Sequence, residues 1–157
     1  MNRTISQYPF ATRARDYFLS GFNCAQSLYA AFAPALGIPE EDALRLSAPF
    51  GGGFGRMREV CGAFSGMMLV VGELFGYSDP ADPEKDLLYP RVQELGERFR
   101  ARFGDLVCRE LLKSKAIVGG VASERTPEYY ATRPCARFVE GAAEILETYL
   151  KEEGILK

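Results

Sequence analysis

The sequence predicts an all-α protein, a single-domain helical bundle of about five to seven helices spanning 1–157. Three observations carry this. Apolar residues recur at helical three- and four-residue spacing. Helix-start and helix-stop residues punctuate the chain. No apolar–polar alternation persists beyond a few residues, so no strand is expected. The 157 residues are 47% apolar, which suffices for one sizeable core.

The first helix is expected from a Thr12 cap to about Ser20, with Ala14, Tyr17 and Phe18 on its apolar side and Gly21 as its stop. Asn23 reads as the next N-cap and Cys24 as the first helical residue. Leu28, Ala31, Phe32 and Leu36 form that helix's apolar face, and Pro34 should kink or shorten it. Pro39 suits a helix first turn, and Glu40, Glu41 and Asp42 complement the positive end of the dipole. Ala48 precedes Pro49 and should mark that helix's end.

Phe50 to Gly55, FGGGFG, is a glycine-rich loop before the central helix. It supplies either a tight turn or a close approach of backbone to a bound group. It lacks the phosphate-loop pattern, but Arg56 and Arg58 follow it closely. Gly51, Gly52, Gly53, Arg56 and Arg58 are therefore candidate residues for contact with an anion or cofactor. The central helix is expected over Met57 to Leu74, with Cys61 inside it. Gly62 and Gly66 lie four apart, and each mid-helix glycine costs roughly 1 kcal/mol against alanine. Such a pair implies that another helix, or a bound group, comes close.

Asp79, Pro80, Asp82 and Pro83 make a linker, after which a helix should begin near Pro83 and be interrupted at Pro90. Val92, Leu95, Phe99 and Phe103 then give an amphipathic helix ending at Gly104. Asp105 can cap a short helix from Leu106 to Leu112 that carries Cys108. Ser114 to Arg133 reads as loop, with Tyr129 and Tyr130 packed inward. Pro134 and Cys135 open a last helix that ends by Gly154.

Composition narrows the chemistry. The 19 basic and 21 acidic residues are well mixed, so no basic stripe supports a nucleic-acid partner. The run Met67 to Val71 is too short for membrane insertion. The N-terminal MNRTISQYPF has no signal-like apolar core, so a cytoplasmic location is expected. There is no histidine, which removes Ser-His-Asp and Cys-His catalysis and imidazole ligation of metals. Four cysteines remain: Cys24, Cys61, Cys108 and Cys135. Even the nearest two in sequence, Cys108 and Cys135, are 27 residues apart, so any site must be assembled in space. Cys24 and Cys135 fall in first helical turns, where unpaired N–H groups favour a thiolate.

Three readings follow. Cysteine pairs cycle between dithiol and disulfide with no cofactor. Alternatively, the four thiolates bind zinc or an iron–sulfur cluster. In the third reading the cysteines are core residues of a non-catalytic helical interaction protein. The absence of short ligand pairs favours the redox pair over a metal knuckle.

The order Asn23-Cys24-Ala25-Gln26, FGGGFGRM from Phe50 to Met57, Cys61-Gly62-Ala63-Phe64-Ser65-Gly66, Cys108-Arg109-Glu110-Leu111-Leu112, and Cys135 resembles a family of redox-active proteins. That family is named for four cysteines, the second in a Cys-Gly-Ala-x-x-Gly motif. The resemblance implies a small bacterial or archaeal protein and thiol-based redox or electron-transfer work at Cys24, Cys61, Cys108 and Cys135. The expected partners are a redox protein or a small thiol or metal species, and a homodimer is the expected oligomer. Cys24 and Cys61 are the first pair to test.

Overall fold

Asn23 starts a helix that packs against the first, third, central and last long helices of the chain. The structure, a computed structural model, describes residues 3–157. The lead-in residues Met1 and Asn2 lie outside the described residues. Helix α2 spans Cys24–Leu36. The Asn23 side chain accepts from the Gln26 N–H at 2.9 Å, and the Gln26 side chain accepts in return from the Asn23 N–H at 3.1 Å. This reciprocal capping box satisfies two otherwise unpaired donors. Asn23 Nδ2 also donates to the Ala48 carbonyl at 2.9 Å, tying the helix start to the chain before the glycine loop. Asn23→Ala should lower stability by about 1 kcal/mol or slightly more, because a tertiary bond goes with the cap. Urea unfolding measures that loss.

Helix α1, Phe10–Leu19, packs on α2 and on the last helix. It starts two residues before the expected Thr12 cap, with Pro9 at the N-cap position. Phe10 is completely buried and stacks on Phe32 of α2 at 4.1 Å between centroids, so the apolar anchor fixes the start. Helix α2 continues through Pro34, which is exposed, and ends at Gly37 with φ 71°. Helix α3, Glu40–Ser47, is followed by a tight turn over Ala48–Phe50.

The central helix α4 spans Gly62–Phe75, shorter at its start than the expected Met57 to Leu74. It is buried along most of its length, as the core of a helical bundle requires. Its glycines act as the spacing suggested. A Cβ on Gly66 would lie 2.8 Å from the Ala25 carbonyl and 2.9 Å from Leu28 Cβ, so α2 crosses there. A Cβ on Gly62 would lie 3.1 Å from Cys24 Cβ.

Helix α5, Lys85–Phe103, is continuous across Pro90, which is exposed. The expected interruption does not occur; the helix continues with one backbone donor missing on its solvent side. Helix α6 is Cys108–Leu112, α7 is Pro127–Thr132 and α8 is Cys135–Glu152. The α7 turn lies inside the segment expected as loop. It raises the number of helices to eight among the described residues, not counting the irregular four-residue turn Gly51–Phe54, in an all-helical single-domain bundle. The only extended pairings among the described residues are the isolated bridges Ile5–Leu156 and Val60–Val107. No described helix is long and apolar enough to cross a membrane.

Candidate functional site

Each cysteine stands at the beginning of a helix. Cys24, Cys108 and Cys135 are the first residues of α2, α6 and α8, and Cys61 directly precedes α4. Sequence periodicity places Cys61 inside the central helix; the structure instead puts it at the N-cap position. The chain before it is held away from helical geometry by the Val60–Val107 bridge. In that bridge the Cys61 N–H donates to the Leu106 carbonyl at 2.7 Å and the Cys108 N–H donates to the Glu59 carbonyl at 2.5 Å. The same bridge delays the start of α6 past the expected Leu106, while Asp105 Oδ1 accepts from the N–H groups of Leu106 and Val107.

All four cysteines line one cavity of about 360 Å³. Cys24 is half-buried, and Cys61, Cys108 and Cys135 are buried. Among the described residues none is in a disulfide. Cys135 acts most strongly on the ionisation of Cys24, and Cys61, the partner suggested by sequence, acts on it more weakly. The neighbouring Cys24 thiol is the largest cause that brings the Cys135 thiol down to about 7; Arg133, Arg125 and Arg58 add to it against the opposing cost of burial. Cys135 in turn, with burial, pushes the Cys24 thiol well above the usual range. The two thiols therefore titrate as a coupled pair. Burial pushes Cys61 up to about 12, although the N–H groups of Ala63 and Phe64 act in the opposite direction. Burial also raises Cys108, with the Arg58 guanidinium opposing it from 3.7 Å.

The glycine-rich loop forms one wall. Gly51, Gly52 and Gly53 line the cavity, as do Arg56 and Arg58. Five consecutive residues, Gly52 to Arg56, have positive φ, and so does Arg58. Side-chain-bearing residues are strained in that conformation, so glycine is needed where the backbone also crosses itself. Gly53 is such a point, because a Cβ there would sit 2.6 Å from the Glu59 nitrogen. The fold thereby turns Arg58 inward, where it is only 4% exposed and donates from Nε to the Ile117 carbonyl at 2.9 Å. Arg56 donates to the Val121 carbonyl across the mouth.

Sequence reasoning did not find Arg125, Arg133 or the cavity role of Tyr129. The guanidinium carbons of Arg125 and Arg133 lie 4.8 and 5.0 Å from the centroid of the Tyr129 ring, an arrangement that holds both cations near Cys135. The only signal in the sequence was weak: Arg133 stands two residues before Cys135. Among the described residues, no group of three or more His, Cys, Asp or Glu side chains is arranged to hold a metal ion. The four-thiolate reading thus gains no geometric support.

A family model matches residues 22–149, and its description is "Putative redox-active protein (C_GCAxxG_C_C)". The match covers well over half of the sequence, and the chain belongs to this family. No curated protein and no solved structure matches it.

Proposed function

We propose that the chain is a thiol–disulfide redox protein in which Cys135 is the nucleophile and Cys24 the resolving thiol. The observation that carries this reading is the placement of Cys24 and Cys135 together in one arginine-lined cavity, where the guanidinium groups and the neighbouring thiol favour a thiolate on Cys135 near neutral pH. The Cys135 thiolate attacks one sulfur of an incoming disulfide and releases the other as a thiolate. Cys24 then gives up its proton to that leaving thiolate and attacks the mixed disulfide. The protein dithiol loses two electrons, and the substrate disulfide becomes one thiol and one thiolate. Cys61 and Cys108 support this site by packing: both are buried, and the bridge that carries them fixes the start of α4 and the position of Arg58.

Trapping tests the assignment. Reduced Cys24→Ser protein treated with a small disulfide should accumulate one mixed disulfide at Cys135, located by peptide mass mapping without reductant. Cys135→Ser should accumulate little at the same time point. An adduct at Cys61 or Cys108 in the Cys24→Ser protein would overturn the assignment.

A further inference from the structure

The cavity around the thiol pair contains charge that its own walls do not balance. Arg56, Arg58, Arg125 and Arg133 line it, and no aspartate or glutamate does. Among the described residues, none of the four forms an ion pair with a carboxylate, whereas Arg91, Arg98, Arg102 and Arg109 elsewhere in the chain all do. Burying a cation is costly unless a counter-charge accompanies it. Arg58 is almost completely buried, and Arg56 Nε is a buried donor with no partner among the described residues. Apart from the contact of Arg58 with the Cys108 sulfur, the bonds these side chains make are to carbonyls. Arg58 donates to Ile117, and Arg125 donates to Phe18 and Phe22 at 3.2 and 2.9 Å. Those bonds fix the guanidinium groups in place without neutralising them. One thiolate offsets a single positive charge out of four.

Size and access restrict what can supply the rest. The cavity, about 360 Å³, is at the small end of the range for ligand sites. Cys135 is only 6% exposed, so its sulfur is open to a molecule that enters the cavity and closed to one that docks on the surface. Guanidinium groups favour carboxylate and phosphate oxygens, which they can bind in paired fashion.

We infer that the oxidant of this thiol pair is a small organic disulfide of net negative charge, whose anionic groups are held by Arg56, Arg58, Arg125 and Arg133 while its sulfurs meet Cys135. This rests on the thiol–disulfide reading and adds the substrate class. Cys135 attacks one sulfur of the disulfide, one anionic thiolate leaves, and Cys24 displaces the second. The products are the Cys24–Cys135 disulfide and two molecules of an anionic thiol, one still ionised.

The test uses three disulfides of similar size and different charge on the anaerobically reduced full chain: dianionic dithiodipropionate, neutral bis(2-hydroxyethyl) disulfide and dicationic cystamine. Each rate of Cys24–Cys135 disulfide formation is divided by that reagent's rate with a small free thiolate. The dianion should exceed the dication by about a hundredfold at low salt, with the ratio falling steeply at high salt. Arg133→Gln, a half-buried position whose change should leave the circular dichroism spectrum intact, should reduce the ratio severalfold. Equal normalised rates for the three reagents, or a ratio unmoved by salt and by Arg133→Gln, would overturn the anionic class while leaving the redox reading intact. Rapid oxidation by oxidised thioredoxin alone would also overturn it, in favour of a protein partner. Failure of every oxidant to form the Cys24–Cys135 disulfide would instead remove the redox reading itself.

Discussion

Alkylation of the reduced protein by iodoacetamide is expected to rise with pH through an inflection near 7, and Cys135 is expected to carry the label. The direction follows from the lowered Cys135 thiol: ionisation, and so reactivity, appears about two pH units before that of a thiol titrating at 9.0. Two effects oppose each other. At pH 7 the thiolate fraction is roughly fiftyfold higher than for the ordinary thiol, but a less basic thiolate is intrinsically about tenfold less nucleophilic over that interval. The ionised fraction wins, leaving an expected gain of about fivefold before any steric effect of the cavity. Cys24→Ala removes the largest cause of the lowered value and should move the inflection upward. Arg133→Gln should move it upward by less. An unshifted inflection in Cys24→Ala would show that the Cys24 thiol does not set the ionisation.

Gly53→Ala is expected to destabilise the protein by about 3 kcal/mol or more, or to prevent folding. Two costs coincide at this residue. Its φ is 66°, and a Cβ would meet the backbone at 2.6 Å from the Glu59 nitrogen and 2.8 Å from the Arg58 Cα. Backbone atoms cannot swing aside as a flexible side chain can. Gly37→Ala is the control, since Gly37 has φ 71° and a methyl group added there would have nothing within 4 Å. It should lose only about 1 kcal/mol, the conformational part alone. Urea denaturation of both variants separates the clash from the φ penalty, and equal losses would mean that the crossing at Gly53 contributes nothing.

How far the sequence revealed this site depended on whether the cue was local. Cys24 and Cys135 were legible as helix starts because Asn23 and Pro134 stand immediately before them. Cys61 was not, because the apolar pattern of the central helix extends back over Val60. What stops the helix at Gly62 is the pairing of Val60 with Val107, a contact that spacing along the chain does not encode. The glycine loop and its two arginines were legible as a group, and all five of those candidate residues line the cavity. Arg125 was hidden for the opposite reason. It lies in a segment without periodicity and is held by carbonyls of Phe18 and Phe22, more than a hundred residues earlier. The Gly62 and Gly66 spacing gave the close helix approach correctly, and with it the position of Cys24 beside α4. Which thiol acts most strongly on Cys24 depends on how α8 meets α2 in three dimensions.

The most direct test is a disulfide map of the wild-type protein after a two-electron oxidation, digested and analysed by mass spectrometry without reductant. One linked peptide pair joining Cys24 to Cys135 is expected, with Cys61 and Cys108 recovered as free thiols. A dominant link between Cys61 and any other cysteine, or the recovery of all four thiols free after exhaustive exposure to oxidant, would contradict a Cys24–Cys135 redox pair.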